Sequence, residues 1–172
     1  RRIYANVRNV FLCLGGSGQI DLLRNLFILI DEVGFEGTLH LVTPISDQNR
    51  SLKTNRCGFS LHVYQSADAA QVVSLMDFCD LGIVSAGTVA QECFARALVC
   101  GVLEAADDQK GLASQFEKDG LALSLSISDS LPFKDLFSLQ EESWRRIYDR
   151  LIQLRYQNDF ENLIAQIVGS RA

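Results

Sequence analysis

Nothing in these 172 residues approaches the run of roughly 18 apolar residues that a membrane span needs. Positive charge is also in short supply. Sixteen Lys and Arg stand against 21 Asp and Glu, a net charge of −5. That balance argues against a general nucleic-acid surface, which needs clustered Lys and Arg to neutralise phosphates. A small anion held by backbone amides stays open. There are only two histidines, His40 and His62, each alone in a strand-like stretch, so no metal centre is expected. The five cysteines (Cys13, Cys57, Cys79, Cys93, Cys100) are odd in number and lack C-x-x-C spacing. Most lie in apolar runs such as FLCL and ALVC, which predicts reduced, buried thiols and a cytoplasmic setting. No charged-then-apolar leader with a small-residue cleavage site is visible. The chain starts at Arg1 without an initiator Met, which we read as a piece of something longer.

What is present is a hydrophobic share of 48%, enough for one globular domain with a developed core spanning residues 1–172. Asn9–Leu14 (NVFLCL) reads as a strand ending at GGSG, and Gln19–Val33 as a helix with Ile20, Leu23, Leu26, Phe27 and Ile30 on one face. Thr38–Thr43 reads as a second strand stopped by Pro44, followed by a polar loop, Ile45–Gly58. Strands are expected at Ser60–Tyr64, Leu81–Val84, Val99–Leu103 and Leu121–Leu125. Helices are expected at Ala69–Phe78, Thr88–Ala97 and Gln109–Lys118. After a loop at SISDSLPF, Leu139–Tyr156 and Phe160–Val168 read as amphipathic helices packing on the domain, the first through Trp144, Ile147, Leu151 and Leu154. This alternation predicts an α/β, Rossmann-like parallel sheet of about six strands with helices on both faces. No repeat or low-complexity segment interrupts it.

In such a sheet ligands bind beyond the carboxyl ends of the strands, where loops converge and helix N-termini aim N–H groups at one spot. Three marked loops leave strand ends. Gly15-Gly16-Ser17-Gly18 allows close backbone approach and offers amides and a hydroxyl to phosphate, or simply connects a strand to a helix. It lacks the G-x-G-x-x-G spacing of dinucleotide sites, no acidic residue closes the second strand, and no Walker lysine follows, which disfavours a dinucleotide-dependent oxidoreductase. In Ser85-Ala86-Gly87-Thr88, hydroxyls and amides stand at the positive end of a helix, with Glu92 placed to grip vicinal ribose hydroxyls. The plainer alternative is that Thr88 caps the helix and Glu92 complements its dipole. In EAADDQK, Asp107 or Asp108 is a candidate cap, and Gln109 a candidate for sugar hydroxyls.

Four ordered motifs, VFLCLGGSG, LVTPISD, FCDLGIVSAGTVAQECFARALV and AADDQKGLASQFEKDGLA, resemble the C-terminal, nucleotide-sugar-binding half of GT-B proteins of the MurG glycosyltransferase kind. The similarity is closer to hydrolases that remove UDP from a diacetamido-trideoxy sugar in pseudaminic acid biosynthesis and to SpsG-type spore-coat polysaccharide proteins. It runs from about Val10 to Leu123. The resemblance implies diphosphate contacts at Gly15, Gly16, Ser17 and Gly18 and at Ser85, Ala86, Gly87 and Thr88. It further implies base contacts at Pro44 and Ile45, a ribose contact at Glu92, and sugar contacts around Asp108 and Gln109. Thr43, Asp108 and Leu112 depart from the family pattern, where a glycine and two asparagines are usual.

By the same resemblance the ligand is a UDP-sugar, no cofactor is required, and an N-terminal GT-B domain carries a catalytic histidine, so that this chain alone is inert. The reaction it implies is hydrolysis at the nucleotide-sugar linkage, with transfer to an acceptor as the alternative. A non-catalytic binding or interaction module is the reading from a different class.

Overall fold

The computed structural model describes residues 7–15, 20–44, 57–138 and 141–157. Six parallel strands form one sheet in the order β3-β2-β1-β4-β5-β6: β1 Asn9–Cys13, β2 Thr38–Thr43, β3 Ser60–Gln65, β4 Leu81–Ser85, β5 Cys100–Leu103 and β6 Leu123–Ser124. The helices are α1 Ile20–Glu32, α2 Ala69–Phe78, α3 Thr88–Ala95, α4 Leu112–Lys118, α5 Leu131–Ser138 and α6 Glu141–Gln157. The order steps outward from β1 to β3 and then returns to β4 beside β1. Because parallel crossovers are right-handed, α1 covers one face and α2 and α3 the other. β1 is apolar at consecutive positions because both of its faces are covered, and Val10, Phe11 and Leu12 are fully buried.

Local chemistry sets the element ends. Asp68 caps α2 by accepting from the Gln71 amide at 2.8 Å, while the Gln71 side chain accepts from the Asp68 amide at 3.1 Å. Helix α4 closes with Gly120 at φ 70° and with the Leu121 amide donating to Phe116 O at 2.9 Å. That cap consumes Leu121 and Ala122, so β6 is shorter than the expected Leu121–Leu125. Helix α3 stops at Ala95 rather than Ala97, since Arg96 and Ala97 form its closing turn and Leu98 N donates to Cys93 O at 2.9 Å.

Two expectations need larger correction. The stretch expected as one helix, Gln109–Lys118, is a 3-10 turn, Asp107–Gln109, then Gly111 at φ 74°, then α4. A left-handed residue cannot continue a helix, so the chain breaks there. The last three residues of the SISDSLPF segment open a helix: the Asp129 carboxylate accepts from the Leu131 amide at 2.9 Å, Ser130 O accepts from the Lys134 amide, and Pro132 sits in the first turn, where its missing N–H costs nothing. Phe133 and Leu136 of α5 enter the core. As expected, Trp144, Ile147, Leu151 and Leu154 of α6 are buried in the same core. The helix expected at Phe160–Val168 lies outside the described residues. Among the described residues no helix is long and apolar enough to cross a membrane.

Candidate functional site

The sheet reverses its strand order between β1 and β4, and the crevice beyond their carboxyl ends is where an open α/β sheet offers a ligand site. Register aligns Cys13 with Val84, so the turns after the two strands leave side by side. Gly15, at φ 85°, faces Ser85: a methyl group built on Gly15 would stand 3.7 Å from Ser85 Oγ. Ser85 is 3% exposed, and among the described residues its hydroxyl has no hydrogen-bond partner. A buried hydroxyl aimed at a glycine turn invites an acceptor there.

Gly87 is the N-cap of α3, and Thr88 is its first helical residue, making no side-chain cap bond. The Ala86 amide donates to Leu103 O at 2.7 Å and the Gly87 amide to Ser85 O at 2.8 Å. The amides expected of Ala86 and Gly87 are therefore spent within the fold. The amides left open by helix geometry are those of Thr88 and Val89, since Gly87 O takes up Ala90 N and Gln91 N. Thr88 and Glu92, four residues apart, both exposed, share one face of α3.

Glu92 reaches the end of β1 electrostatically. Burial pushes the Cys13 thiol above its ordinary pKa, the Gly15 amide pulls it down, and the Glu92 charge raises it again. The thiol next to the crevice is thereby kept protonated at neutral pH. Cys93 beneath it is likewise pushed up, by burial first and by its contact with Cys100. Cys79, Cys93 and Cys100 are buried and reduced, as expected, whereas Cys13 and Cys57 are only partly covered.

The third loop contributes through Gln109. Its Oε1 accepts from the Ala105 amide at 3.0 Å, which leaves Nε2 as the outward donor. A methyl group on Gly87 would stand 3.3 Å from that Nε2, so Gln109 closes the crevice beside the α3 cap. Asp107 and Asp108 do not cap a helix; both are exposed, and Asp107 pairs with Lys110 at 3.0 Å. Glu104 was not singled out by its sequence context, yet its carboxylate accepts from the Gly111 amide at 2.6 Å and ties off the loop. The signal was the lone glycine placed where the loop needs a left-handed residue.

Gly15, Ser85, Gly87 and Gln109 thus meet at one place, with Ala86 beneath and Thr88 and Glu92 along the adjoining helix face. Pro44 is exposed at the tip of β2, next to β1, and Asp108 points to solvent. Gly16, Ser17, Gly18 and Ile45 lie outside the described residues. Among the described residues, no three His, Cys, Asp or Glu side chains gather into a metal-binding group. An open cleft of about 430 Å³ lies at the opposite end of the sheet, between α4, β6 and α6. Its Lys118, Arg146 and Arg150 alternate with Glu117 and Asp119, and those carboxylates are taken by Ser124 N and Gln115 Nε2.

Comparison by sequence finds no matching protein family and no matching curated protein. Comparison of folds does find matches. Spinosyn rhamnosyltransferase SpnG complexed with thymidine diphosphate aligns with 88% of the chain at TM-score 0.65 and 18% identity, using 42% of its own length. Acinetobacter baumannii MurG aligns with 95% at TM-score 0.55 and 17% identity, using 50% of its length. WaaG, a glycosyltransferase of lipopolysaccharide biosynthesis, aligns with 94% at TM-score 0.65 and 13% identity, using 47% of its length. The chain spans about half the length, or less, of these structures. Its fold is the Rossmann-like α/β fold of one half of a GT-B glycosyltransferase.

Proposed function

We propose that this chain is the nucleotide-sugar-binding half of a two-domain GT-B protein, with a UDP-sugar as its ligand. The observation that carries the reading is the meeting of Gly15, Ser85, Gly87 and Gln109 at the strand-order reversal. The diphosphate rests over the Ser85 hydroxyl and the Thr88 and Val89 amides, where the α3 dipole favours negative charge. Glu92 accepts from the ribose hydroxyls one turn along. Gln109 Nε2 donates to a diphosphate or sugar oxygen, and the resemblance adds Gly16, Ser17 and Gly18 as diphosphate contacts and Pro44 and Ile45 as base contacts. The amide set at α3 stabilises the leaving diphosphate as its charge grows.

The whole protein cleaves the sugar–diphosphate bond, with its base in an N-terminal domain, so this chain binds without turning over. Water as the attacking group is the first reading, taken from the resemblance alone, since this half looks alike in hydrolases and transferases. The matched structures are glycosyltransferases, which favours the second reading, transfer to an acceptor. Calorimetry on this chain with UDP, thymidine diphosphate and UMP tests the binding: heat with both diphosphates and weaker heat with UMP is expected. Absence of heat and of a thermal shift at millimolar ligand would leave an interaction module instead. Turnover of a UDP-sugar by the full-length protein, with and without added acceptor, separates water from acceptor attack.

A further inference from the structure

The two histidines that stand apart in sequence are neighbours in space. His40 of β2 and His62 of β3 are directly paired in register, with ring centroids 5.6 Å apart. His40 is 5% exposed, and both of its ring nitrogens are engaged: Nδ1 with the Tyr64 hydroxyl at 3.0 Å and Nε2 with Asn9 Oδ1 at 3.2 Å. Phe78 of α2 stands edge-on to the ring at 5.5 Å. With the Asn9 carbonyl as acceptor, Nε2 carries the proton and Nδ1 accepts from Tyr64, which is the neutral imidazole. Because β3 is the last strand of the sheet and pairs with β2 on one side, this cluster joins three strands at its least covered edge.

We propose that the Asn9–His40–Tyr64 chain, with His62 beside it, is a pH-sensitive latch that holds β3 on the sheet at neutral pH and releases it on mild acidification. Among the described residues, the groups facing His40 are few. From β3 they are His62 and Tyr64; from β1, the uncharged Asn9 and Phe11; from α2, Phe78. The carboxylate beyond α2, Asp80, is held by the amides of Arg8 and Asn9, both at 2.9 Å. No carboxylate among these contacts compensates a charged His40. Protonation turns Nδ1 into a donor, so Tyr64 must turn its own proton away, and it sets a charge in a buried place next to His62.

Burial first, and the His62 charge second, hold the pKa of His40 below its ordinary value of 6.5. The folded chain therefore prefers the neutral ring. The stability so contributed is present above the unfolded value, near 6.5, and is lost as pH falls through the lower folded value. The more strongly the fold favours the neutral ring, the more often β3 opens once His40 is charged. Gln65, at the end of β3, pairs with Thr43, and Ser66 N donates to Thr43 O at 3.2 Å, so release also loosens the β2 tip that carries Pro44.

The test is amide hydrogen exchange of Leu61–Gln65 between pH 7.5 and 5.0, corrected for the intrinsic rate, with NMR titration of the His40 ring. Expected is a rise of about tenfold in β3 opening, with β5 amides unchanged. His62→Asn, at an exposed position, should raise the His40 titration midpoint and shrink the excess opening, and Tyr64→Phe, which keeps the ring but removes the hydroxyl bonded to Nδ1, should shrink the excess opening as well. The latch is overturned if β3 and β5 amides open together, or if the excess opening is the same in both variants as in the parent. The outcome does not depend on the nucleotide reading.

Discussion

The two sides of the sheet cohere by different means. On the β4–β5 side every strand residue is buried, and packing leaves no spare volume: a methyl group on Gly82 would stand 2.6 Å from Cys100 Sγ, and one on Gly101 would stand 2.5 Å from Leu125 Cδ1 and 2.8 Å from Leu136 Cδ2. On the β2–β3 side no residue of β3 is buried, and cohesion runs through Asn9, His40, Tyr64 and the Phe78 ring. Steric cohesion does not titrate with pH, whereas cohesion through a hydrogen-bonded histidine does. The crevice is founded mainly on the first kind, since Ser85, Gly87 and Gln109 all follow β4 or β5. On the proposed reading, a turn that presents a hydroxyl and two amides to a charged ligand gains from a rigid floor.

The comparison breaks most directly at Gly101. Gly101→Ala forces a methyl group into buried Leu125 and Leu136, and overpacking of that kind costs about 1–3 kcal/mol. A matching fall in urea midpoint is expected, and an unchanged midpoint would mean that the β5 side has slack. Glu92→Ala leaves the exposed face of α3 folded and should weaken UDP binding about tenfold or more, the scale of a charge-assisted hydrogen bond. Isothermal titration against the parent measures it; equal affinity would return Glu92 to a dipole role. Gln109→Glu keeps an oxygen for the Ala105 amide but replaces the outward donor by a negative atom, so diphosphate affinity should fall while the thermal midpoint holds. If affinity rises instead, Nε2 does not face the ligand. Smallest of all, Glu142→Gln removes a fully exposed i,i+4 partner of Arg146 and should leave the urea midpoint where it was.

Much of this was legible in the chain because period and punctuation agree along it. The apolar runs at Val10–Leu12 and Leu81–Val84 could only be doubly covered strands, and their glycine-bearing exits named the crevice before any coordinate did. Helix α5 was missed because Pro132 reads as a breaker, although a proline in the first turn is compatible with a helix that Asp129 and Ser130 open. The expected Gln109–Lys118 helix failed at Gly111, whose left-handed backbone shows only when the loop is closed by Glu104. Residue type and loop position singled out Ser85, Thr88, Glu92 and Gln109 as candidates, and the fold brings them to one crevice, but residue type does not show which amides stay open. That depends on Leu103 O standing opposite Ala86 N, a fact of strand pairing. The histidine pair was invisible for the same reason: His40 and His62 meet only through register.

Register has one more consequence. Gly15 and Ser85 come together only after β1 and β4 have joined, at Val10 with Leu81, closing a stretch of chain that already includes β2, β3 and two helices. Bringing such distant segments together is the entropically slow part of assembling this topology. The crevice therefore depends on this long-range pairing, and no excised β-α-β unit contains both of its strands. A compound that occupies it draws population out of every partly assembled form at once.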